Sequence, residues 1–265
     1  MALDVFSGVG TTLRYAVFDL DGTLLGPRGR LLDGVPAGVA AIRRRGLLPI
    51  LVTGRSLVGL RALRTIDELL ALCDDQILLH NGDVRFDRVT GAVRHRRTLP
   101  AEAVRRLRAA GRADLVVEHD GELLASSRRA ALAFALAYEL PRRTVRLLPP
   151  DAPALPATRI TLLGGWPAPA PTGANPATRP AGDAAPAGGA ATAGDAAAVA
   201  AALSGLDCAV YPVEAFRAVV VHPADTCKAR ALTAHLRARF GETGLDRVLA
   251  FGDGDNDARL LAECR

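Results

Sequence analysis

Two aspartates stand two residues apart, Asp19 and Asp21, directly after the apolar run Tyr15-Ala16-Val17-Phe18 and directly before Gly22 and Thr23. Residues at i and i+2 of a strand project to the same side, so both carboxylates leave the strand end together. Two carboxylates side by side repel, and burial penalises their charge further. Such a pair is kept where a cation neutralises it, or where one carboxyl carries a proton for chemistry. An acidic turn closing a strand is the plain alternative, since Asp and Gly are ordinary turn residues. A second acidic knot, Gly252-Asp253-Gly254-Asp255-Asn256-Asp257, follows the apolar run 248–251. Its spacing partly matches a calcium loop, but no helix precedes it and no Glu closes it. Clustered carboxylates at strand ends suit a hard cation, and Mg²⁺ fits a site with few protein ligands that phosphate completes.

One basic residue differs from all the others. Of 33 basic residues, 32 are arginine and one is lysine, Lys228. Where Arg supplies generic positive charge throughout, a lone Lys marks a place for a compact ammonium that a planar fork cannot fill. A solvated residue in the first turn of a helix is the alternative.

These groups need a scaffold that brings their strand ends together. After the first strand, Asp33 is expected to cap a helix over 35–45, with Pro36 in its first turn and Gly46 closing it. A strand over 47–52 runs into Thr53-Gly54-Arg55-Ser56, a helix over 57–72 follows, and a third apolar segment, 76–79, ends in His80-Asn81-Gly82. This β-α-β-α alternation predicts a parallel sheet with right-handed crossovers, and open sheets of that kind bind ligands at the carboxyl ends of their strands. From residue 84 the texture changes. A hairpin over 84–94, helices over 101–110, 127–140 and 196–203, and strands over 115–118, 159–163, 208–212 and 218–221 describe an α+β domain. The expectation is an α/β core formed by 1–83 and 222–265, with residues 84–221 inserted as a second domain. The core resumes with an amphipathic helix over 228–240, the strand 248–251 and a last helix from Ala258. Residues 166–195 are almost wholly Ala, Pro, Gly and Thr, and are predicted to be a disordered or loosely attached loop.

Composition narrows the classes. At 265 residues, 49% apolar, the chain is sized for two domains. It has no long uncharged apolar run for a membrane span and no basic-then-apolar leader. Cys73, Cys208, Cys227 and Cys264 lack metal-type spacing and read as the reduced thiols of a cytoplasmic protein. The net charge of +5 comes from dispersed arginines, and aromatics are only 4% of the chain, which argues against nucleic acid as a partner.

Taken together, Asp19-Leu20-Asp21-Gly22-Thr23, Thr53-Gly54-Arg55, Lys228, and Gly252-Asp253 with Asn256-Asp257 resemble the four ordered motifs of the haloacid dehalogenase superfamily of phosphohydrolases. The likeness covers about residues 14–164 and 203–262. It is nearest to the Cof-type branch, in which a large α/β cap is inserted after the third core strand; Asn81-Gly82 followed by a hairpin looks like the entry to that cap. The resemblance implies a Mg²⁺-dependent phosphatase acting on a small phosphorylated metabolite, such as a sugar phosphate, through an aspartyl-phosphate. By the same implication Asp19 is the nucleophile and Asp21 the acid and base, while Thr53 bonds the transferring phosphoryl group. Lys228 neutralises phosphate and Asp19. Asp19, the backbone carbonyl of Asp21, and Asp253 hold the metal with Asp257 nearby. Gly22, Thr23, Gly54, Arg55 and Asn81 adjoin phosphate or substrate, and Asn256 supports Lys228 or the phosphate. Cof-type relatives continue through a further strand and helix after the last motif. A chain ending at Arg265 is therefore expected to leave strand 248–251 as an edge open to self-association. A phosphometabolite-binding protein without turnover, and a phosphomutase, remain as alternatives.

Overall fold

The computed structural model describes residues 13–26, 29–63, 66–111, 114–138, 140–149, 151–163, 193–213 and 218–265. Along the chain the elements begin with β1 (Tyr15–Phe18), α1 (Val35–Arg44), β2 (Leu48–Leu51), α2 (Leu57–Arg61), α3 (Asp67–Leu72), β3 (Gln76–Leu79), β4 (Val84–Asp87) and β5 (Val93–His95). Next come α4 (Ala101–Ala109), β6 (Leu115–His119), β7 (Glu122–Ala125), α5 (Arg128–Ala137), β8 (Val145–Leu147), β9 (Arg159–Leu163), α6 (Ala193–Ala202), β10 (Cys208–Val213) and β11 (Ala218–Pro223). The chain closes with α7 (Lys228–Phe240), β12 (Val248–Phe251) and α8 (Ala258–Glu263). The loop predicted over 166–195 lies outside the described residues as far as residue 192, and residues 193–195 form the start of α6. The α/β class is the one expected. Contacts divide the chain into two compact units, Met1–Arg96 with Thr226–Arg265, and Arg97–Asp225.

In the first unit β12, β1 and β2 run parallel, with Phe18 at the end of β1 in register with Phe251 on one side and Leu51 on the other. A single parallel bridge, Val52 to Leu78, carries the order on to β3. β4 then adds antiparallel to β3, and β5 to β4, so the hairpin read from the sequence at the head of the insertion is hydrogen-bonded to the first unit. Both sheet faces are covered, which explains the unbroken apolar runs. Ala16, Phe18, Leu51, Ile77 and Leu79 meet residues of α1 to α3 on one face, and Tyr15, Val17, Ile50, Val52 and Leu78 meet α7 and α8 on the other. Each fully buried aliphatic side chain contributes about 1.5–3 kcal/mol.

Two expectations in this unit are corrected. The helix predicted over 57–72 is two short ones, α2 and α3. Leu57 and Ile66 are both buried in the same core, yet nine residues are two and a half helical turns, so one straight helix would point them in opposite directions. The break lets both face the sheet. Asp33 does not cap α1: Gly34 occupies the N-cap with φ 81° and no side-chain bond is made there. A backbone in the left-handed region is favoured at glycine, so the turn rather than a carboxylate starts the helix.

The second unit is a six-stranded sheet in the order β10-β11-β9-β6-β7-β8, antiparallel except for the β7–β8 pair. Alternate residues Leu115, Val117, Ile160, Leu162, Val219 and Val221 pack against α4 and α6, and α5 lies against β6 to β9. The strands β7 and β8 have no signature in the sequence, because three or four residues are too few for a period to declare itself. Among the described residues no helix is long and apolar enough to cross a membrane.

Candidate active site

The site residues singled out in the sequence all lie in the first unit. Asp19 follows β1, and its amide donates to the Phe251 carbonyl of β12 at 3.0 Å, which pins two parallel strand ends together at the carboxylate. Asp19 Oδ1 accepts from Lys228 Nζ at 2.7 Å, and the same ammonium donates to Asp257 Oδ1 at 2.7 Å. Lys228 and Asp257 are wholly buried and Asp19 is 4% exposed. Asp253 completes the group: one oxygen from each of Asp19, Asp253 and Asp257 lie within 4.8 Å of one another. One ammonium thus bonds two of three clustered carboxylates. Burial pushes the Asp19 carboxyl above the usual carboxylate range; Lys228 pulls it back without cancelling the rise, and Asp257 adds to it.

Close backbone approaches make this packing possible. A Cβ on Gly22 would lie 1.9 Å from Asp253 Oδ2, and Gly22 holds φ 82°; both facts require glycine after the second aspartate. Thr23 Oγ1 donates to Asp253 Oδ1 at 3.2 Å. On the other side of the site, a Cβ on Gly82 would sit 1.9 Å from the Ala231 Cβ. The turn after β3 and the first turn of α7 therefore touch, and Lys228, the first residue of α7, is delivered to the strand ends. Asp83 strengthens that junction by accepting from Arg96 Nη2 at 3.0 Å and from Thr226 Oγ1. In sequence Asp83 is one more polar residue after an Asn-Gly turn; its complete burial is visible only in three dimensions.

The remaining predicted residues form a second layer. Thr53 is fully buried; its Oγ1 accepts from the Arg55 amide at 3.1 Å, and its carbonyl accepts from the Asn81 amide at 2.8 Å. The hydroxyl keeps its own proton to donate. Asn81 sits at φ 54°, and its Oδ1 accepts from Asn256 Nδ2 at 3.0 Å. Asn256 thus turns to Asn81 and not to Lys228. Gly54 lies beside them, since a Cβ there would be 3.2 Å from Asn81 Oδ1. Asp21 is clamped by Arg55, whose Nε donates to Oδ2 at 2.7 Å and Nη2 to Oδ1 at 2.6 Å. The sequence offers Arg55 as a substrate contact or as a cap of its own helix; a pairing across 34 residues leaves no local signature.

Oxygen donors alone, few in number and incompletely neutralised, fit Mg²⁺ better than a softer metal. The Gly22 cradle for the Asp253 carboxylate and the shortage of positive charge around Asp19 both agree with a cation held between them.

A sequence model of the haloacid dehalogenase-like hydrolases matches residues 16–126. No curated protein matches the chain. Among solved structures, a haloacid dehalogenase-like hydrolase from Bacteroides thetaiotaomicron aligns with a TM-score of 0.66 at 19% identity, over 96% of this chain and 86% of its own. A HAD/COF-like hydrolase from Plasmodium vivax gives 0.69 at 14% identity, over 97% and 84%. A sugar phosphatase of HAD subclass IIB gives 0.66 at 17% identity, over 95% and 85%. Identities this low speak for the fold, and the matched segment carries the first two motifs together with the turn at Asn81-Gly82. In that segment the chain is similar to the haloacid dehalogenase-like hydrolases, and over its length it shares their fold.

Proposed function

We propose that the chain is a Mg²⁺-dependent phosphatase that hydrolyses a small phosphorylated metabolite through an aspartyl-phosphate on Asp19. The observation that carries this reading is the buried Lys228 ammonium bridging Asp19 and Asp257 beside Asp253. A sugar phosphate is the favoured substrate class, by analogy with the subclass IIB sugar phosphatase of the same fold.

In this reading the free oxygen of Asp19 attacks phosphorus while the bond to the leaving oxygen breaks, and Asp21 gives that oxygen its proton. Water then attacks the phosphoryl group, losing a proton to Asp21, and the Asp19 carboxylate departs. Lys228 orients Asp19 and offsets charge on the phosphoryl oxygens. Thr53 donates its hydroxyl proton to one of those oxygens, and Arg55 is a positioning residue that holds Asp21 by both oxygens. Asp19, Asp253 and the Asp21 carbonyl would hold Mg²⁺ with Asp257 alongside, and the ion supplies charge neutralisation to the transferring group.

The test is phosphate release from a generic aryl phosphate with and without Mg²⁺. Release should need the ion and fall about 10⁴-fold or more in Asp19→Asn, the scale seen when a nucleophile is removed. Equal rates in parent and variant would overturn the proposal.

A further inference from the structure

Away from Asp19, α7 and the sheet β3-β4-β5 line a half-open pocket of about 220 Å³ whose wall includes Leu78, Arg85, the exposed Arg94, Arg96, Ala231 and His235. Its charge is unusual. Leu78, Arg85 and Arg94 are register partners across the three strands and lie on the face that meets α7, because Leu78 packs with Ala231 and Leu232. Arg85 and Arg94 are therefore like charges directly opposite each other, an arrangement that destabilises a strand pair. Among the described residues neither guanidinium has a hydrogen bond or an ion pair.

The acids nearby are committed elsewhere. Asp74 accepts from His235 Nε2 at 3.1 Å and pairs with Arg239 at 2.9 Å. Asp75 pairs with Arg88 at 2.7 Å, and Asp83 is taken by Arg96 and Thr226. Asp87 accepts from the amides of its own turn. His235 forms another part of the wall. His235 is 3% exposed, and its Nδ1 is buried without a hydrogen-bond partner. With Nε2 directed at the Asp74 carboxylate, Nδ1 is a lone pair in the neutral ring and a donor in the imidazolium.

We infer that this cavity is a binding site for a compact oxyanion, inorganic phosphate or a small phosphomonoester, held by the Arg85 and Arg94 forks with His235 beside them. Guanidinium forks match the paired oxygens of phosphate in two-point contacts. A volume of about 220 Å³ is enough for a compact anion. His235 lies seven residues after Lys228 on α7, roughly 10 Å along the axis, so an anion here touches the helix that carries Lys228. Binding at this cavity uses none of the groups assigned to turnover, so it stands or falls separately from the proposed reaction.

The test is calorimetric titration of the full chain with inorganic phosphate, beside the double variant Arg85→Gln with Arg94→Gln. The parent should show a binding phase that the variant loses by at least about tenfold in affinity, the scale of one charge-assisted contact, with any phase at the Asp19 centre unchanged. Without phosphate the variant should melt no lower than the parent, because the substitution relieves a repulsion. Crystals soaked in tungstate should place a heavy atom between the two arginines. Identical isotherms, a lower melting temperature in the phosphate-free variant, or tungstate found only beside Lys228 would each overturn the assignment.

Discussion

Each unit of this protein buries an ion pair, and the two do so on different terms. In the second unit Arg159 of β9 is the register partner of Glu118 of β6, reaching its Oε1 with Nε at 2.6 Å and Nη2 at 2.5 Å. The Tyr138 ring lies under the guanidinium, 5.8 Å from centroid to Cζ. Although burial works against the Arg159 charge, Glu118 lifts its proton affinity above the usual arginine value. Here a guanidinium and a carboxylate meet directly across neighbouring strands. In the first unit a single buried ammonium answers two buried carboxylates, with a third at its edge, and burial raises the Asp19 carboxyl in spite of it. A matched buried pair is a lock between strands. A mismatched one leaves negative charge unanswered at the strand ends, which is the condition for binding a cation and doing chemistry.

That contrast can be broken at either end. Lys228→Met should have the largest effect. It strands Asp19 and Asp257 without a cation, costing about 3–5 kcal/mol of stability and lowering phosphate release about 10²–10³-fold, as read by denaturant melts and steady-state rates. Arg159→Met should cost a similar about 3–5 kcal/mol by stranding Glu118, but here the damage should be reversible. Adding Glu118→Leu should bring stability back to within about 1 kcal/mol of the parent, since an apolar pair of similar volume replaces a matched ion pair with little loss. If the double variant stays as unstable as the single one, the lock involves more than this pair.

A smaller effect is expected at Gly22→Ala. The left-handed backbone costs about 1–2 kcal/mol for a residue with a Cβ, and the new methyl displaces the Asp253 carboxylate, so Mg²⁺ affinity should fall more than thermal stability does. The smallest effect concerns pH. The folded chain holds the Asp19 proton to higher pH than the unfolded chain does, so stability from this group is greatest below the usual carboxylate range and declines as pH rises from that range through the raised folded value. In metal-free protein the melting temperature of Asp19→Asn should gain on the parent between acid and neutral pH. A constant difference would mean that Lys228 fully offsets the burial of Asp19.

Much of this site was legible in one dimension because its parts are local. Asp19 and Asp21 at the end of an apolar run, Thr53 after another and the knot at 252–257 each declare a strand end, and a parallel sheet brings strand ends to one edge. The lone lysine was a compositional signal, and the structure agrees with its physical reason: Lys228 is wholly buried between two carboxylates, a space that suits an ammonium better than a guanidinium fork. What could not be read were pairings across many residues. The Arg55 fork on Asp21, the Asn81–Asn256 bond and the burial of Asp83 depend on how loops from different strands meet, and no spacing encodes that.

The break between α2 and α3 lies between these cases. The apolar positions of 57–72 were visible, but their phase becomes meaningful only once the face of the sheet they must cover is known. Residue types and their order along the chain were enough to specify which groups could do chemistry, because strand periodicity and turn chemistry act over a few residues. Their pairing, and the imbalance of charge around Asp19, arose from packing, because burial and long-range contact are properties of the folded chain alone.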